Sequence, residues 1–416
     1  MQDTPFGRIP DNWELNTIDN ACEVVTDYVA NGSFKSLAQN VQYQDKEDST
    51  VLIRLVDYNN GFNGNFIYVN NHAYEFLAKS KLFGGEIIIS NVGANVGTVF
   101  RCPYLKKQMT LGPNSVMLKF KQNDDFYFYW LKSPAGQHML QSIVTGSAQP
   151  KFNKTNLRQV LIPVPSKDEQ RKIADILQVL DNKIENNNQI NRNLSEQMQA
   201  IFGSIFYSEM EKENKASLGD YLYIKGRIGW KGLKKEEYLS ESEYRIINGE
   251  SLTVTGIDWN KAGYISEERY IESPEIMLQE GDILISKDGT IGKIGYVNKL
   301  DKPTSVASGI FVVRNLKPEE VSTVFIYCLL NSDYFKSFIA SRTEGSVIPH
   351  LYQKDFVTLE IPILSQEQIE LFNSTVVPLF ELFFSNQTEN IRLAALRDSL
   401  LPKLMSGELD VSDLNI

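Results

Sequence analysis

Apolar side chains recur in a heptad pattern in two segments of the chain, residues 166–207 and 365–407. Each segment opens with a capping-box sequence that follows prolines, Ser166–Glu169 in the first and Ser365–Gln368 in the second. Apolar positions spaced alternately by three and four residues after such a start predict a long helix with a coiled-coil seam. The predicted seam consists of Leu177, Leu180, Ile184, Asn187, Asn191 and Leu194 in the first helix, and of Leu379, Phe383, Asn386, Asn390 and Leu393 in the second.

Asparagines at the centre of both seams bear on how the helices pair. A shift of 199 residues places Asn187 on Asn386 and Asn191 on Asn390. A buried seam asparagine lowers stability but selects one register, because its amide needs a partner. We therefore expect the two helices to pair with each other in antiparallel orientation. The alternative is that each helix packs only against its neighbouring domain.

Outside these helices, the chain repeats itself. The block that begins at Gly84 reappears at Glu280, and the block around Pro150 reappears around Pro349. Short apolar runs that end in glycine-containing turns predict strands, and segments packed with aromatics predict short helices. The strands are expected at Glu86–Ser90, Val116–Phe120, Val160–Val164, Ile283–Ser286, Ile310–Val313 and Thr358–Ile363, and the short helices at Phe126–Leu131 and Val324–Leu330.

The whole pattern predicts an α+β fold. Two strand-rich α/β domains are separated by two long helices that pair as an antiparallel coiled coil, with a pseudo-twofold internal repeat. A chain of 416 residues is long enough for a core in each domain. The expected boundaries are 1–165 for the first domain, 166–207 for the first helix, 208–217 for a polar linker, 218–364 for the second domain, 365–407 for the second helix and 408–416 for a C-terminal tail.

The net charge of −10 would by itself argue against nucleic acid as a partner. Its distribution changes that picture, because residues 1–165 carry 15 basic and 14 acidic side chains, and residues 215–363 carry 18 and 21. Most of the excess negative charge lies in the helical segments 166–214 and 364–416. The two domains are close to neutral. A duplex DNA partner is therefore compatible with the charge, although we expect only modest affinity from the isolated chain.

Several function classes are disfavoured by what the sequence lacks. Three widely spaced cysteines exclude a disulfide scaffold and a cysteine-based zinc module, and the three histidines belong to no metal-spaced motif. The sequence contains no G-x-x-x-x-G-K-[ST] phosphate loop, dinucleotide fingerprint or catalytic-triad pattern. We therefore expect no catalytic residues, metal or cofactor in this chain. With no recognisable signal peptide or membrane-spanning run, a cytoplasmic protein is expected.

Duplicated polar loops remain as candidate chemistry. In both halves, a predicted strand ends in a glycine-rich turn, and a second block carries amide, hydroxyl and basic side chains of the kind that read base edges and hold phosphates. The second domain adds basic residues around an aromatic at Lys225–Lys231. The alternative is that the glycines serve hairpin turns and the polar side chains only face water. The candidate DNA-binding residues are Ser90, Asn91, Asn95, Gln149, Lys151, Asn153, Lys154, Lys225, Arg227, Lys231, Ser286, Lys287, Thr290, Lys293, Ser346, His350, Tyr352 and Lys354.

In this order, and doubled along one chain, the motifs resemble those of the specificity subunit of type I restriction–modification systems. The resemblance covers nearly the full length. Single motifs are short, but their doubled order is highly specific. The residues that carry it are Gly7–Trp13 (GRIPDNW), the strand–glycine blocks at 84–97 and 280–292, Gly146–Pro150 (GSAQP), Ile162–Arg171 (IPVPSKDEQR) leading into Leu180–Ile184 (LDNKI), and Leu396–Leu409 (LRDSLLPKLMSGEL).

The resemblance implies that each domain is a target recognition domain that reads one half of a bipartite site in double-stranded DNA. It implies that the helices form a spacer that sets the gap and docks two methyltransferase subunits, with restriction and translocase subunits joining through them. The bacterial or archaeal complex would methylate adenine at N6 and cleave unmodified DNA using ATP. S-adenosylmethionine, ATP and Mg²⁺ would belong to the partner subunits, and this chain would be non-catalytic.

Two other functions stay open at this point. A stand-alone DNA-binding regulator of the same two-domain form would not copurify with a methyltransferase. An enzyme with an unfamiliar site in one domain is disfavoured by the duplication, because the polar loops carry different side chains in the two halves, Asn91 against Lys287 and Gln149 against Ile348. Methylation or cleavage by the purified chain alone would favour that enzyme.

Overall fold

The structure, a computed structural model, describes residues 1–343 and 350–414. The chain forms two compact units. Unit 1 comprises Met1–Glu185 and Asn390–Ile416, and unit 2 comprises Asn186–Glu389. Each unit is a mixed α/β domain completed by segments of two long helices, so the predicted fold class is confirmed.

Unit 1 is built from short strands and helices that precede a long helix. The strands are β1 (Gln2–Thr4), β2 (Gly7–Ile9), β3 (Glu14–Thr17), β4 (Cys22–Asp27), β5 (Thr50–Ile53), β6 (Ile67–Val69), β7 (Lys81–Leu82), β8 (Ile87–Ser90), β9 (Val99–Arg101), β10 (Gln108–Leu111), β11 (Ser115–Phe120) and β12 (Leu161–Val164). The helices are α1 (Ile18–Ala21), α2 (Phe34–Asn40), α3 (Leu55–Asn59), α4 (Asn71–Phe76), α5 (Asp124–Lys132), α6 (Pro134–Ser142), α7 (Lys154–Arg158) and the long α8 (Lys167–Met210), with short 3₁₀ helices at Tyr28–Asn31 and Ala78–Ser80.

Two four-stranded sheets form the body of unit 1. One is antiparallel, with the strand order β4-β11-β8-β9. The other has the order β6-β5-β10-β7 and contains one parallel pair, β5 with β10. Because successive strand residues face opposite sides of a sheet, Ile87 and Ile89 enter one hydrophobic core whereas Ile88 enters another. The antiparallel sheet therefore has a core on each face.

Unit 2 repeats this construction with fewer regular elements. Its strands are β13 (Lys215–Ser217), β14 (Leu222–Gly226), β15 (Tyr244–Ile247), β16 (Leu252–Thr253), β17 (Gly256–Ile257), β18 (Gly263–Ile265), β19 (Ile283–Ser286), β20 (Ile294–Tyr296), β21 (Thr304–Val306), β22 (Ile310–Asn315) and β23 (Glu360–Pro362). Its helices are α9 (Glu267–Ile271), α10 (Thr323–Asn331), α11 (Asp333–Thr343), α12 (Gln353–Val357) and the long α13 (Gln366–Met405), with 3₁₀ helices at Leu218–Asp220, Gly229–Lys231, Lys235–Glu237, Trp259–Lys261 and Pro274–Ile276.

The strand pairings of unit 2 correspond to those of unit 1. The antiparallel sheet β14-β22-β19-β20 matches β4-β11-β8-β9, and the parallel pair of β15 with β21 matches that of β5 with β10. β13 pairs with β23 as β3 pairs with β12. This correspondence is consistent with the predicted internal repeat.

Both long helices begin with the predicted capping boxes. Glu169 N donates to Ser166 Oγ at 3.2 Å, and Ser166 N donates to Glu169 Oε2 at 3.0 Å. At the second helix, Gln368 N donates to Ser365 Oγ at 3.3 Å and Ser365 N donates to Gln368 Oε1 at 2.9 Å. These reciprocal bonds satisfy amide groups that the first turn of a helix leaves without partners.

Within unit 2, three of the four seam asparagines lie between α8 and α13. Asn386 Nδ2 donates to Asn191 Oδ1 at 2.9 Å, and Asn191 Nδ2 donates to the carbonyl of Phe383 at 3.0 Å. Asn187 Nδ2 donates to Glu389 Oε2 at 2.7 Å. Since residue numbers fall along one helix as they rise along the other, the predicted antiparallel pairing is confirmed.

Within unit 1, the remaining helix segments pair in the same sense. Arg397 Nη1 donates to Asp181 Oδ1 at 2.6 Å, and Leu177 lies in one hydrophobic core with Leu401 and Leu404. Arg397 lies four residues after Leu393, where the heptad spacing would place the next apolar seam residue, and the ion pair explains why a charge stands there.

The predicted seam matches the buried face of the long helices near the central asparagines but not towards the helix ends. Leu177 and Leu194 are buried, as predicted, whereas the other apolar seam residues and Asn390 are only half-buried. Towards its end, α8 buries Phe202 and Phe206 instead of continuing the heptad. A straight helix has 3.6 residues per turn, so its buried stripe drifts from a 3.5-residue repeat where it packs on a globular core rather than on a partner helix. The half-buried seam residues are Leu180, Ile184, Leu379, Phe383 and Leu393.

Two predicted segments differ from their expected form. The first residues of the expected linker 208–217 belong to α8, which ends at Met210. Its last residues form β13, because they pair with β23. The described part of the expected C-terminal tail, residues 408–414, is packed into unit 1, where Val411 is buried and Lys172 Nζ donates to the carbonyl of Ser412 at 2.8 Å.

Candidate nucleic-acid interface

The two polar loops predicted in the first domain lie side by side in unit 1. Asn91 N, directly after β8, donates to the carbonyl of Asn114 at 3.0 Å, and Phe152 N donates to the carbonyl of Asn91 at 3.1 Å. Gly93 N donates to the carbonyl of Pro150 at 2.9 Å. We call residues 90–97, 112–114 and 145–153 together the loop edge of unit 1. Sequence analysis had identified the first and third of these segments but not how they meet.

Glycines shape the first loop of this edge. Gly93 and Gly97 adopt φ values of +101° and +92°, which residues with a Cβ rarely adopt. The turn brings Gly97 N back to the carbonyl of Ser90 at 2.8 Å. Side-chain amides of Gln137 and Gln141, on α6, donate to the carbonyls of Gly97 and Val96, each at 3.1 Å. The loop is therefore held by the domain before any ligand binds.

The corresponding loops meet in the same way in unit 2. Lys287 N donates to the carbonyl of Gly309 at 2.9 Å, and Leu351 N donates to the carbonyl of Lys287 at 3.1 Å. Gly292, with a φ of +84°, donates its N–H to the carbonyl of Ser286 at 2.9 Å. We call residues 286–293, 307–309 and 350–354 the loop edge of unit 2. The two edges share a backbone scaffold and differ in their side chains.

Four of the candidate side chains in unit 1 are exposed on the loop edge: Asn95, Gln149, Lys151 and Asn153. Gln149 lies in a turn closed by reciprocal backbone bonds between Thr145 and Lys151, at 2.8 and 2.9 Å. The amides of Asn95 and Gln149 can donate and accept hydrogen bonds towards a base edge or a phosphate, whereas Lys151 can only donate. Asn153 Oδ1 already accepts from Asn156 N at 2.7 Å as the N-cap of α7, which leaves its Nδ2 as a donor.

Two further candidates in unit 1 are half-buried and already engaged. Asn91 Nδ2 donates to the carbonyl of Phe152 at 3.2 Å, which ties the two loops together. Lys154, the first residue of α7, donates to Asp27 Oδ1 at 2.9 Å. Both residues therefore support the edge in the free protein.

In unit 2, the candidate side chains Thr290, Tyr352 and Lys354 are exposed, and Lys287, Lys293 and His350 are half-buried. Lys287 Nζ lies 5.0 Å from the centre of the Phe311 ring, and Lys293 Nζ donates to the carbonyl of Gly249 at 3.2 Å. The His350 ring packs edge-on against Tyr352, and its Nδ1 contacts Asp288. The edge of unit 2 thus combines basic, acidic and aromatic groups.

The segment 225–231 reaches the same side of unit 2, since it leaves β14 where β22 begins. Gly226 pairs with Phe311, and a Cβ built on Gly232 would lie 3.4 Å from Ser308 Oγ. Lys225 is half-buried, and Lys231 Nζ donates to the carbonyl of Glu272 at 2.5 Å.

Three candidates are buried and hold the fold rather than face outwards. Ser90 is 1% exposed, and Ser286 Oγ accepts from Lys293 N while donating to the carbonyl of Thr290. Arg227, only 2% exposed, donates to the carbonyl of Val306, and its burial lowers the pKa of its guanidinium. We remove these three from the candidate contact set, because a direct DNA contact would require each to leave its enclosure. Candidate Ser346 lies outside the described residues.

Sequence analysis missed the segment 112–114, which supplies the carbonyl that fixes the first loop. Asn114 has a φ of +64°, and its unit 2 counterpart is Gly309. The sequence signal is the turn Gly112-Pro-Asn114 directly before a strand, a combination that favours tight turns.

The described ranges, 1–343 and 350–414, contain no group of three or more histidine, cysteine, aspartate or glutamate residues that could hold a metal ion. In those same ranges, no helix is both long enough and apolar enough to cross a membrane.

Comparison with known proteins identifies the family. The model of the type I restriction modification DNA specificity domain matches the chain twice, over residues 10–196 and 208–371. The specificity subunits of the type I restriction enzymes MjaIX and MjaVIII from Methanocaldococcus jannaschii are 26% and 22% identical to the chain, over 100% and 98% of it and 97% and 95% of their own lengths. The crystal structure of a type I restriction–modification S subunit from M. genitalium has a TM-score of 0.55 at 22% identity, covers 96% of this chain and 98% of that one, and supports the fold. Because the family model covers most of the chain in two copies, the chain belongs to the family of type I restriction–modification specificity subunits.

Proposed function

We propose that each unit reads one half of a bipartite site in double-stranded DNA. In this proposal the paired helices α8 and α13 set the gap between the half-sites and dock two methyltransferase subunits, through which restriction subunits join. The observation that carries the proposal is the duplicated loop edge. The same backbone bonds recur at Asn91 and Lys287, on units whose exposed side chains differ. One scaffold with two sets of side chains suits two different half-site sequences.

The chemistry of the exposed side chains supports base reading. The loop edge of unit 1 is rich in amides, which match the donor–acceptor pattern of adenine in the major groove. That of unit 2 presents lysines beside Asp288 and Tyr352. Since neither domain has a large basic excess, phosphate neutralisation by this chain alone is limited. We propose that the methyltransferase subunits close around the duplex and supply much of the affinity.

The helix pair is suited to act as a spacer because its register is specified. The Asn191–Asn386 bond is satisfied in one alignment of the two helices, so sliding by one turn would leave buried amides without partners. A fixed register gives a fixed length at about 1.5 Å per residue.

A specificity subunit is the non-catalytic component of its complex. We propose that S-adenosylmethionine, ATP and Mg²⁺ are bound by the partner subunits, and that adenine methylation and DNA cleavage take place there. Neither methylation nor cleavage is expected from the purified chain, and detection of either would contradict this division of labour.

The test is long-read methylome sequencing of a host that expresses the chain with its methyltransferase subunit. A bipartite methylated motif with a fixed gap is expected. Asn95→Ala with Gln149→Ala should alter one half of the motif, and Lys287→Ala with Thr290→Ala the other. Lys119→Ala, an exposed charge change on β11, is the matched control and should leave both halves intact.

The alternative of a stand-alone regulator predicts a different result. The chain would then fail to copurify with the methyltransferase, and the host would carry no motif that depends on it. Either loop-edge variant altering both halves together would also refute the assignment of one half-site to each unit.

A further inference from the structure

Arg54 lies directly after β5, at the end of unit 1 where the parallel strands β5 and β10 both finish. Gly112 N, just after β10, donates to the carbonyl of Ile53 at 2.8 Å, and a Cβ built on Gly112 would lie 2.9 Å from Arg54 Cγ. Two residues further on, the carbonyl of Asn114 accepts from Asn91 N. Arg54 therefore borders the loop edge of unit 1, although no motif in the sequence marks it.

Asp57 holds this arginine in one orientation. Arg54 Nε donates to Asp57 Oδ2 at 3.1 Å and Nη2 donates to Oδ1 at 2.8 Å, while Arg54 N also donates to Oδ2, at 2.8 Å. The side chain of Asp57 is 2% exposed and that of Arg54 is 28% exposed. One buried carboxylate thus fixes both the backbone and the guanidinium of Arg54, so little conformational freedom is lost when a ligand binds.

The outer end of the guanidinium is left for a ligand. The contact with Asp57 uses Nε and one hydrogen of Nη2, and no described residue accepts a hydrogen bond from Nη1. The Nη1 and remaining Nη2 hydrogens form a planar fork that fits two adjacent acceptors. In duplex DNA, guanine presents such a pair in the major groove, O6 and N7.

Resting on the proposed function, we propose that Arg54, oriented by Asp57, reads a guanine in the half-site of unit 1. A phosphate also offers paired oxygens, but the Asp57 carboxylate offsets the positive charge of Arg54. That weakens long-range attraction to phosphate and leaves the hydrogen-bonding fork in place. The exposed neighbours on this edge are mainly amides, as at a base-reading surface.

Unit 2 has no matching arginine at this position. Ala307 N donates to the carbonyl of Ile247 as Gly112 N does to that of Ile53, which makes Asn248 the counterpart of Arg54. Asn248 Oδ1 accepts from Glu250 N and Ser251 N at 2.9 and 3.0 Å, so its side chain closes a local turn. The guanine contact is therefore expected in one half-site only.

The experiment uses the full chain in complex with its methyltransferase subunit. Methylation rates are measured on duplexes that carry the wild-type motif and on a set with each base pair substituted in turn. Arg54→Ala and Arg54→Lys are compared with Arg8→Ala, which removes another arginine of unit 1 that faces an aspartate. Discrimination at one G·C pair of one half-site should fall by about 5- to 150-fold in both Arg54 variants, the range for one bidentate base contact, with the other half unchanged.

Lysine is the decisive substitution if Arg54→Ala unfolds unit 1. It can retain the ion pair with Asp57 but cannot present a planar fork, so Arg54→Lys should keep the melting temperature and still lose guanine discrimination. An unchanged motif in Arg54→Lys overturns the proposal. The proposal is also overturned if DNA binding by the complex weakens equally on all duplexes and the slope of log K against log salt falls by about one. That result is the signature of a phosphate contact. A wild-type complex without sequence-specific methylation would instead remove the proposed function, which is a separate outcome.

Discussion

Replacing one asparagine of the Asn191–Asn386 pair should destabilise unit 2 more than replacing both. Asn386 is 7% exposed and donates to Asn191 Oδ1, and Asn191 is 8% exposed. In Asn386→Leu, the Oδ1 of Asn191 is left buried beside an apolar side chain. In the double variant, both amides are gone and two leucines can pack against each other.

The magnitudes follow from the cost of an unsatisfied buried polar group. Each single leucine substitution should lower the free energy of unfolding by about 1–3 kcal/mol, whereas the double should lie near zero or be stabilising. For a unit of about 200 residues, the single variants correspond to a fall in melting temperature of about 2–12 °C. The coupling energy between the two sites should therefore exceed ~1 kcal/mol.

Differential scanning calorimetry of the four proteins in the double-mutant cycle measures this coupling. Asn193→Leu, at an exposed position of the same helix, is the control and should change stability by no more than ~0.5 kcal/mol. Additive losses, with the double variant as unstable as the sum of the singles, would refute the idea that the two amides act as a pair. They would leave the asparagines without a role in fixing helix register.

Four further outcomes are expected, one each for the loop edge of unit 1, the spacer helices, the turn at Gly407 and the buried thiol of Cys328. Lys151→Ala should weaken DNA binding by the assembled complex equally across sequences, and titrations at several salt concentrations should show the slope of log K against log salt reduced by about 0.9. A change in the methylated motif would contradict a phosphate role for Lys151. Inserting four residues into each of α8 and α13 lengthens each helix by about 6 Å, so the gap in the methylated motif should grow by one or two base pairs. An unchanged gap would contradict the proposed spacer role. Gly407→Ala should destabilise unit 1 by about 1–3 kcal/mol in calorimetry, because Gly407 has a φ of +69° and a Cβ there would lie 2.3 Å from Pro10 Cγ. The control is Gly249→Ala, which should leave stability unchanged because no atom lies within 4 Å of a Cβ built there. Burial raises the pKa of the Cys328 thiol to about 12, so this thiol should react with a maleimide at pH 8 only after the protein is unfolded. Rapid labelling of Cys328 in the folded protein would show that the thiol is not buried.

The sequence predicted best what depends on neighbouring residues. Capping boxes act within one turn, so Ser166 and Ser365 identified the helix starts correctly. Likewise, the run Ile283–Ser286 is a strand with those bounds, because three apolar residues, two of them β-branched, followed by a serine and a glycine-containing turn have few alternatives.

What the sequence could not supply depends on contacts between distant segments. The parallel pairing of β5 with β10 joins residues almost sixty positions apart, and no local pattern marks it. For the same reason Arg54 was not recognised, since the loop edge that it borders is assembled from three other segments of the chain. Arg227 was predicted to contact DNA because it belongs to the basic segment Lys225–Lys231, but here it is buried and donates to a carbonyl from β21.

The placement of the C-terminal segment has a consequence for synthesis on the ribosome. Unit 2 is one continuous stretch of chain, whereas the core of unit 1 includes Leu401, Leu404 and Val411, which are translated after the whole of unit 2. About 200 residues separate the two parts of unit 1, which at ~5–20 residues per second is a delay of roughly 10–40 s. During that interval the first-made unit carries an uncovered apolar surface. At the end of the interval unit 2 has its whole sequence, whereas unit 1 still lacks the segment that begins at Asn390. The nascent chain should therefore finish folding in the reverse of the order in which its units emerge.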